Sequence, residues 1–312
     1  MNKAMAWLRI VRPPIVFISI FGACVGALNV TISQDVFLEP VAFLLSLVAA
    51  GMLAAGLMVH NDYTDLESDR VNRPKKPLPL GVISPKVARI TGIVLMGLAV
   101  ILSFCTTIVL RPDASYLPLG INIPCGLLTL IVMFVGILYN RSGKYAGIFG
   151  HIMVAFGVGV IPYWGAIAVR PTDLVSMFPL ALAIGVMEVG REIMVCAGDI
   201  KGDIKAGYRT TPVRLGRLPS MFVVLPFYFG FIPIFPISYF GWFGFPKIFG
   251  DLYFYGAIVF ELILLMTWID TYRVAKKGDD SAIWAAFERN IRTGTRAGVI
   301  LFQIILFLEA FY

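Results

Sequence analysis

Apolar runs of about 20 residues constrain this chain more than any other feature, because a helix of that length spans the hydrocarbon core of a bilayer. Nine such segments can be read, at 14–30, 38–59, 89–110, 117–138, 146–169, 174–196, 219–242, 252–270 and 294–311. Pro226, Pro233 and Pro236 interrupt the seventh, which a membrane helix tolerates when neighbouring helices satisfy the freed backbone groups. With 58% hydrophobic and only 14% charged residues, the composition lies outside the soluble globular class. No Ser/Gly-rich linker or low-complexity tract divides the chain. The expected fold class is all-α, a multi-pass membrane bundle of nine helices in a single domain over 1–312.

The basic residues test this topology independently. With the N-terminus in the cytoplasm, 23 of the 26 Lys and Arg residues fall on inner segments, and only Arg111, Arg170 and Lys247 fall outside. A wrong span count would scramble that bias, so the chain is expected in the cell membrane with a cytoplasmic N-terminus. The same bias explains the net charge of +7. No nucleic-acid partner is inferred from it, and no protein partner. The four cysteines, Cys24, Cys105, Cys125 and Cys196, stand singly in apolar segments and read as reduced core residues.

Two acidic clusters, 134 residues apart, lie where apolar segments meet the inner surface. The first reads Asn61-Asp62-Tyr63-Thr64-Asp65-Leu66-Glu67-Ser68-Asp69 and the second Asp199-Ile200-Lys201-Gly202-Asp203. Residues four apart share a helix face, so Asn61, Asp65 and Asp69 form one stripe of oxygens, and Asp199 and Asp203 another. Acids in such numbers next to hydrocarbon are costly unless they bind something. Both clusters are trailed by cations, then by Pro and Gly. Carboxylates beside Lys and Arg suit Mg²⁺ carrying a phosphate-rich ligand, since the hard cation takes oxygens and the phosphates need positive partners. The long inner loops after the second and sixth spans carry these cations, and their shared layout hints at two related halves facing one cavity.

Other polar groups read more plainly. Glu188, Arg191 and Glu192 have helical spacing and read either as charges that organise a ligand or as an internal ion pair. The pair is expected for Glu188, and both readings stay open for Glu192. Glu261 is an isolated intramembrane acid. His60 and His151 read as hydrogen-bonded core residues.

The wording Asn61-Asp62-x-x-Asp65-x-x-x-Asp69 with Asn72-Arg73-Pro74-x-Lys76-Pro77-Leu78 resembles the first signature of the UbiA superfamily of intramembrane prenyltransferases. Arg191-Glu192-Ile193, then Asp199-x-x-Gly202-Asp203-x-x-x-Gly207-x-x-Thr210 and Pro212, resembles the second. The resemblance implies helices around a central cavity, with both motifs at its cytoplasmic mouth holding two Mg²⁺ ions on a polyprenyl diphosphate. Asn61, Asp62, Asp65, Asp69, Asp199 and Asp203 would serve the metals, with Asp65, Asp69, Asp199 and Asp203 as the catalytic set. Arg73, Lys76, Lys144, Lys205, Arg209 and Tyr139 would bind substrate. The prenyl tail would run between helices toward the membrane lipids.

Within the superfamily, the second signature is most similar to archaeal-type enzymes that transfer geranylgeranyl to the free hydroxyl of geranylgeranylglyceryl phosphate, an ether-lipid step. The chain departs from that pattern at three positions. Cys196 stands where Asp is usual, Lys76 where Arg is usual, and His151 where Asn is usual. An aromatic acceptor of the 4-hydroxybenzoate type stays open beside the lipid acceptor. So does, in another class, a secondary transporter binding cations at its carboxylates.

Overall fold

Prolines and short polar caps set where the helices start. Ser84 accepts from the Val87 N–H and Asn122 from the Cys125 N–H, each followed at once by apolar helix with Pro in its first turn. A computed structural model describes residues 2–35, 38, 40–107, 121–277 and 291–312. Its first helices are α1 (Lys3–Val11), α2 (Pro13–Ser33), α3 (Pro40–Thr64), α4 (Leu66–Asn72), α5 (Pro85–Phe104), α6 (Ile123–Arg141) and α7 (Ile148–Val169). There follow α8 (Phe178–Lys205), α9 (Thr211–Leu215), α10 (Arg217–Phe231), α11 (Ile237–Phe240), α12 (Asp251–Ala275) and α13 (Arg296–Glu309). The described residues contain no strand.

Six of these helices, α2, α3, α5, α6, α7 and α12, are long and apolar enough to cross a membrane. The longest helix, α8 with 28 residues, carries Glu188, Arg191 and Glu192 within its apolar run. Two expected boundaries differ. The seventh segment is not one helix to 242: α10 stops at Phe231, and a turn through Pro233 and Pro236 leads into α11. Neither proline has an N–H to continue the ladder. The sixth segment does not end at 196, because α8 runs on to Lys205 before Gly207 turns the chain at φ +74°. Asp199 and Asp203 therefore sit on the last turns of this helix, continuous with the apolar span. The expected ends at 108–110 and 117–120, Arg111 between them, Arg289 and the side chain of Arg292 lie outside the described residues.

α3 packs on α5, α2 on α7, and α8 on both α7 and α10. The α2–α7 crossing is close enough that a Cβ on Gly26 would sit 1.8 Å from the Pro162 carbonyl oxygen. Where α10, α12 and α13 meet, Phe260 stacks on Phe302 and Phe231 meets both rings edge-on. At the end that carries the acids, Ala6 and Ile10 of α1 bury against Val59, Leu78 and Ile83. This contact holds α1 at that end of the bundle, where Arg12, just after it, reaches Asp62. All four cysteines are free thiols.

Candidate active site

The helical register runs through the α3–α4 junction. Asp65 N–H bonds the Asn61 carbonyl at 2.9 Å and Asp69 N–H bonds the Asp65 carbonyl at 2.8 Å. One short contact then joins the two acidic segments. Asn72 donates to the Asp199 carbonyl at 2.9 Å and accepts from Gly202 N–H at 2.9 Å. A Cβ on Gly202 would lie 2.2 Å from the Asn72 amide and 2.6 Å from the Ser68 carbonyl. Only glycine lets α8 approach α4 this closely. Gly202→Ala is expected to force the pair apart and destabilise the protein by about 1–3 kcal/mol, seen as a lower melting temperature in detergent. A melt equal to wild type would show that α4 yields without cost.

The carboxylates do not act as the simple stripes that spacing suggests. Asp62 and Asp69, seven residues apart, share one ammonium: Lys76 Nζ lies 3.0 Å from the first and 2.6 Å from the second. Arg12 adds a 2.5 Å contact to Asp62. Arg73 spans the two clusters, 3.6 Å from Asp69 and 2.9 Å from Asp199. Among the described residues, the Asp203 carboxylate has hydroxyl partners alone, Ser68 at 3.1 Å and Thr210 at 3.4 Å. Burial pushes the Asp69 carboxyl above the ordinary range, and the Lys76 ammonium pulls it back.

Asp65 faces a different cation. Lys144, on the short turn Gly143–Tyr145, pairs with it and is itself buried. Its ammonium also lies over the rings of Tyr139 at 5.6 Å and Tyr208 at 5.2 Å. Desolvation draws the Lys144 ammonium down to about 8, against the pull of the Asp203 and Glu192 carboxylates. Arg209 N–H bonds the Lys144 carbonyl at 2.9 Å, which fixes this turn. Asn61 turns away from the carboxylates, donating to Asn140 at 3.0 Å, and Asn140 bonds His60 Nδ1 at 2.9 Å.

Of the expected residues, Asp62, Asp65, Asp69, Asp199, Asp203, Arg73, Lys76 and Lys144 are thus joined by ion pairs or through residues that bridge them. The side chains of Lys205 and Arg209 are exposed and make no ion pair among the described residues. Tyr139 donates to Glu192 at 3.4 Å. Glu188 forms the expected pair with Arg191, whose Nε lies 2.6 Å away. Both Glu261 carboxylate oxygens are buried and find no hydrogen-bond partner among the described residues.

Sequence reasoning missed Arg12, Ser68, Tyr208 and Asn140 as members of this site. Arg12 had a signal of a kind: it precedes Pro13-Pro14 and takes the left-handed φ of 55° that redirects the chain from α1 into α2. The others have no local pattern. His151 and Cys196, two of the three departures noted above, lie against each other, with Cys196 Sγ 4.0 Å from His151 Nδ1.

A model of the UbiA prenyltransferase family matches residues 18–292. A digeranylgeranylglyceryl phosphate synthase from Thermococcus kodakarensis is 29% identical over 234 residues, covering 73% of this chain and 77% of that one. Among solved structures, a UbiA homolog from Aeropyrum pernix matches with a TM-score of 0.68 at 16% identity, over 93% of this chain and 97% of that one. A homolog from Archaeoglobus fulgidus bound to GPP and Mg²⁺ matches with a TM-score of 0.62 at 15% identity, over 98% and 100%. At such identities the structural matches speak for the fold.

Proposed function

The chain belongs to the UbiA prenyltransferase family, and we propose that it transfers geranylgeranyl from geranylgeranyl diphosphate to the free hydroxyl of geranylgeranylglyceryl phosphate, in ether-lipid synthesis. The acceptor assignment rests on the wording of the second signature and on the synthase of similar sequence. The observation that carries the chemistry is the meeting of Asp62, Asp65, Asp69, Asp199 and Asp203 with Arg12, Arg73, Lys76 and Lys144 at one end of the bundle.

The residues present fit Mg²⁺. Among the described residues of this cluster, five carboxylates meet four cations, and Asp203 is held by neutral hydroxyls alone. Asp62, Asp65, Asp69, Asp199 and Asp203 would hold the metal, all of them through hard oxygens. Bound Mg²⁺ would supply positive charge to the departing diphosphate. Arg73, Lys76 and Lys144 would release carboxylate oxygens and turn their donors to the phosphates. The bond from the prenyl C1 to the diphosphate oxygen breaks with its electron pair leaving on diphosphate. The acceptor oxygen bonds to C1, and the hydroxyl proton passes to solvent. The half-buried Tyr139 and Tyr208 rings flank Lys144 and would limit water on that side of the developing allylic cation.

The nine-span topology with a cytoplasmic N-terminus and a cytoplasmic active site belongs to the same proposal. A helix overlaps every expected segment, and the basic-residue bias supports the orientation. Membership of a prenyltransferase family sets the transporter alternative aside. The aromatic acceptor remains a distinct outcome of the test. Purified protein with Mg²⁺, labelled geranylgeranyl diphosphate and a panel of acceptors should give, by mass spectrometry, a product with the label joined through an ether to geranylgeranylglyceryl phosphate. Label on 4-hydroxybenzoate, with none on the lipid, would move the enzyme to the aromatic branch.

A further inference from the structure

We propose that His151, Glu192 and Cys196 form a separate metal site, taking a borderline-soft divalent cation of the Zn²⁺ kind. One ligand atom from each of the three lies within 4.8 Å of the other two. Cys196 Sγ is 4.0 Å from His151 Nδ1 and 3.9 Å from Glu192 Oε1. Tetrahedral zinc with ordinary Zn–S and Zn–N bonds needs ligand atoms about 3.5 Å apart. Rotation about the side-chain bonds covers that difference. His151 and Cys196 are 2% and 7% exposed, and the Glu192 side chain 12%.

The surroundings are those of a ligand set. His151 Nε2 bonds the Thr211 hydroxyl at 3.1 Å, which leaves Nδ1 facing the thiol. Glu192 receives Tyr139 at 3.4 Å on the oxygen that faces Cys196, and Arg191 at 3.3 Å on the other. The donors come from two helices, His151 from α7 and Glu192 and Cys196 from α8, so a bound ion would clamp that packing. On binding, Cys196 releases its proton to solvent, and thiolate plus carboxylate neutralise a divalent charge. Three protein ligands leave a fourth position open.

The chemistry separates this site from the aspartate clusters. Mg²⁺ wants oxygens in octahedral geometry, whereas thiolate and imidazole select zinc or cobalt. The assignment does not depend on the transferase reaction, and its test needs no turnover. The full chain, purified in detergent and stripped with chelator, is titrated with Co²⁺ in excess Mg²⁺. A near-ultraviolet thiolate-to-cobalt charge-transfer band should saturate at one equivalent. Co²⁺ bound by the aspartates gives no such band. Cys196→Ser should abolish the band, Cys125→Ser should keep it, and His151→Gln should weaken Co²⁺ binding at least tenfold. No band in folded wild-type protein, or a band that survives Cys196→Ser, overturns the assignment. Should Cys196→Ser fail to fold, His151→Gln decides alone, and unchanged Co²⁺ affinity there overturns it equally.

Discussion

Asn in place of Asp69 or Asp199 will leave a folded protein and lower prenyl transfer at least a hundredfold, a loss of about 3 kcal/mol or more of transition-state stabilisation. Asn keeps the shape of Asp and can still accept a hydrogen bond, so the packing around α4 and α8 is retained. What goes is the charge that meets the cations and on which the proposed metal would converge. Asp69 meets Lys76 at 2.6 Å, and Asp199 meets Arg73 at 2.9 Å. Excess EDTA with wild-type protein should reach the same low rate, and Mg²⁺ or Mn²⁺ should restore wild type alone. Asp65→Asn and Asp203→Asn should behave alike, though Asp203 makes no direct ion pair among the described residues. Near-normal rates in all four variants, with unchanged melting temperatures, would make the two acidic motifs structural.

The helices were legible because their signal is length and apolarity, which burial in lipid makes nearly independent of tertiary context. Their ends were less so. The end of α8 depends on Asn72 and Ser68, more than 120 residues away, which hold Asp199 and Asp203 in the last turns. The break after Phe231 was announced by prolines but read as tolerated, since the sequence does not reveal whether neighbours will satisfy the freed carbonyls.

The candidate site shows the same division. Acids and cations were found by their local density, but not their pairing. Spacing by four grouped Asp65 with Asp69, whereas the fold joins Asp62 to Asp69 through Lys76 and gives Asp65 to Lys144. Lys144 was reached only through family resemblance, because a single lysine after a span is what the positive-inside rule expects anywhere. His151 and Cys196 were each visible as departures. That they answer each other across the α7–α8 contact is a fact of packing.

Lys76→Met will expose what the shared ammonium does before metal arrives. Methionine keeps much of the aliphatic stem and removes the charge. Asp62 then retains Arg12 at 2.5 Å, but Asp69 retains only Arg73 at 3.6 Å. Both carboxylates are nearly inaccessible, at 2% and 3% of side-chain surface. Removing one partner of a buried pair costs about 3–5 kcal/mol, and the remaining arginines hold the expected loss near the lower figure. In EDTA the variant should therefore melt well below wild type. Mg²⁺ stabilises whichever folded state binds it, and here it would also replace the missing cation. The Mg²⁺-induced rise in melting temperature should be larger in Lys76→Met than in wild type, while transfer should stay low because the proposed diphosphate partner is gone. Lys76→Arg should hold most of the stability in EDTA, since it restores the charge between Asp62 and Asp69. Equal Mg²⁺ shifts in Lys76→Met and wild type would sink the idea that lysine and metal answer the same two carboxylates. A Lys76→Met protein as stable as wild type in EDTA would sink it too, because the carboxylates would then need no shared cation at all.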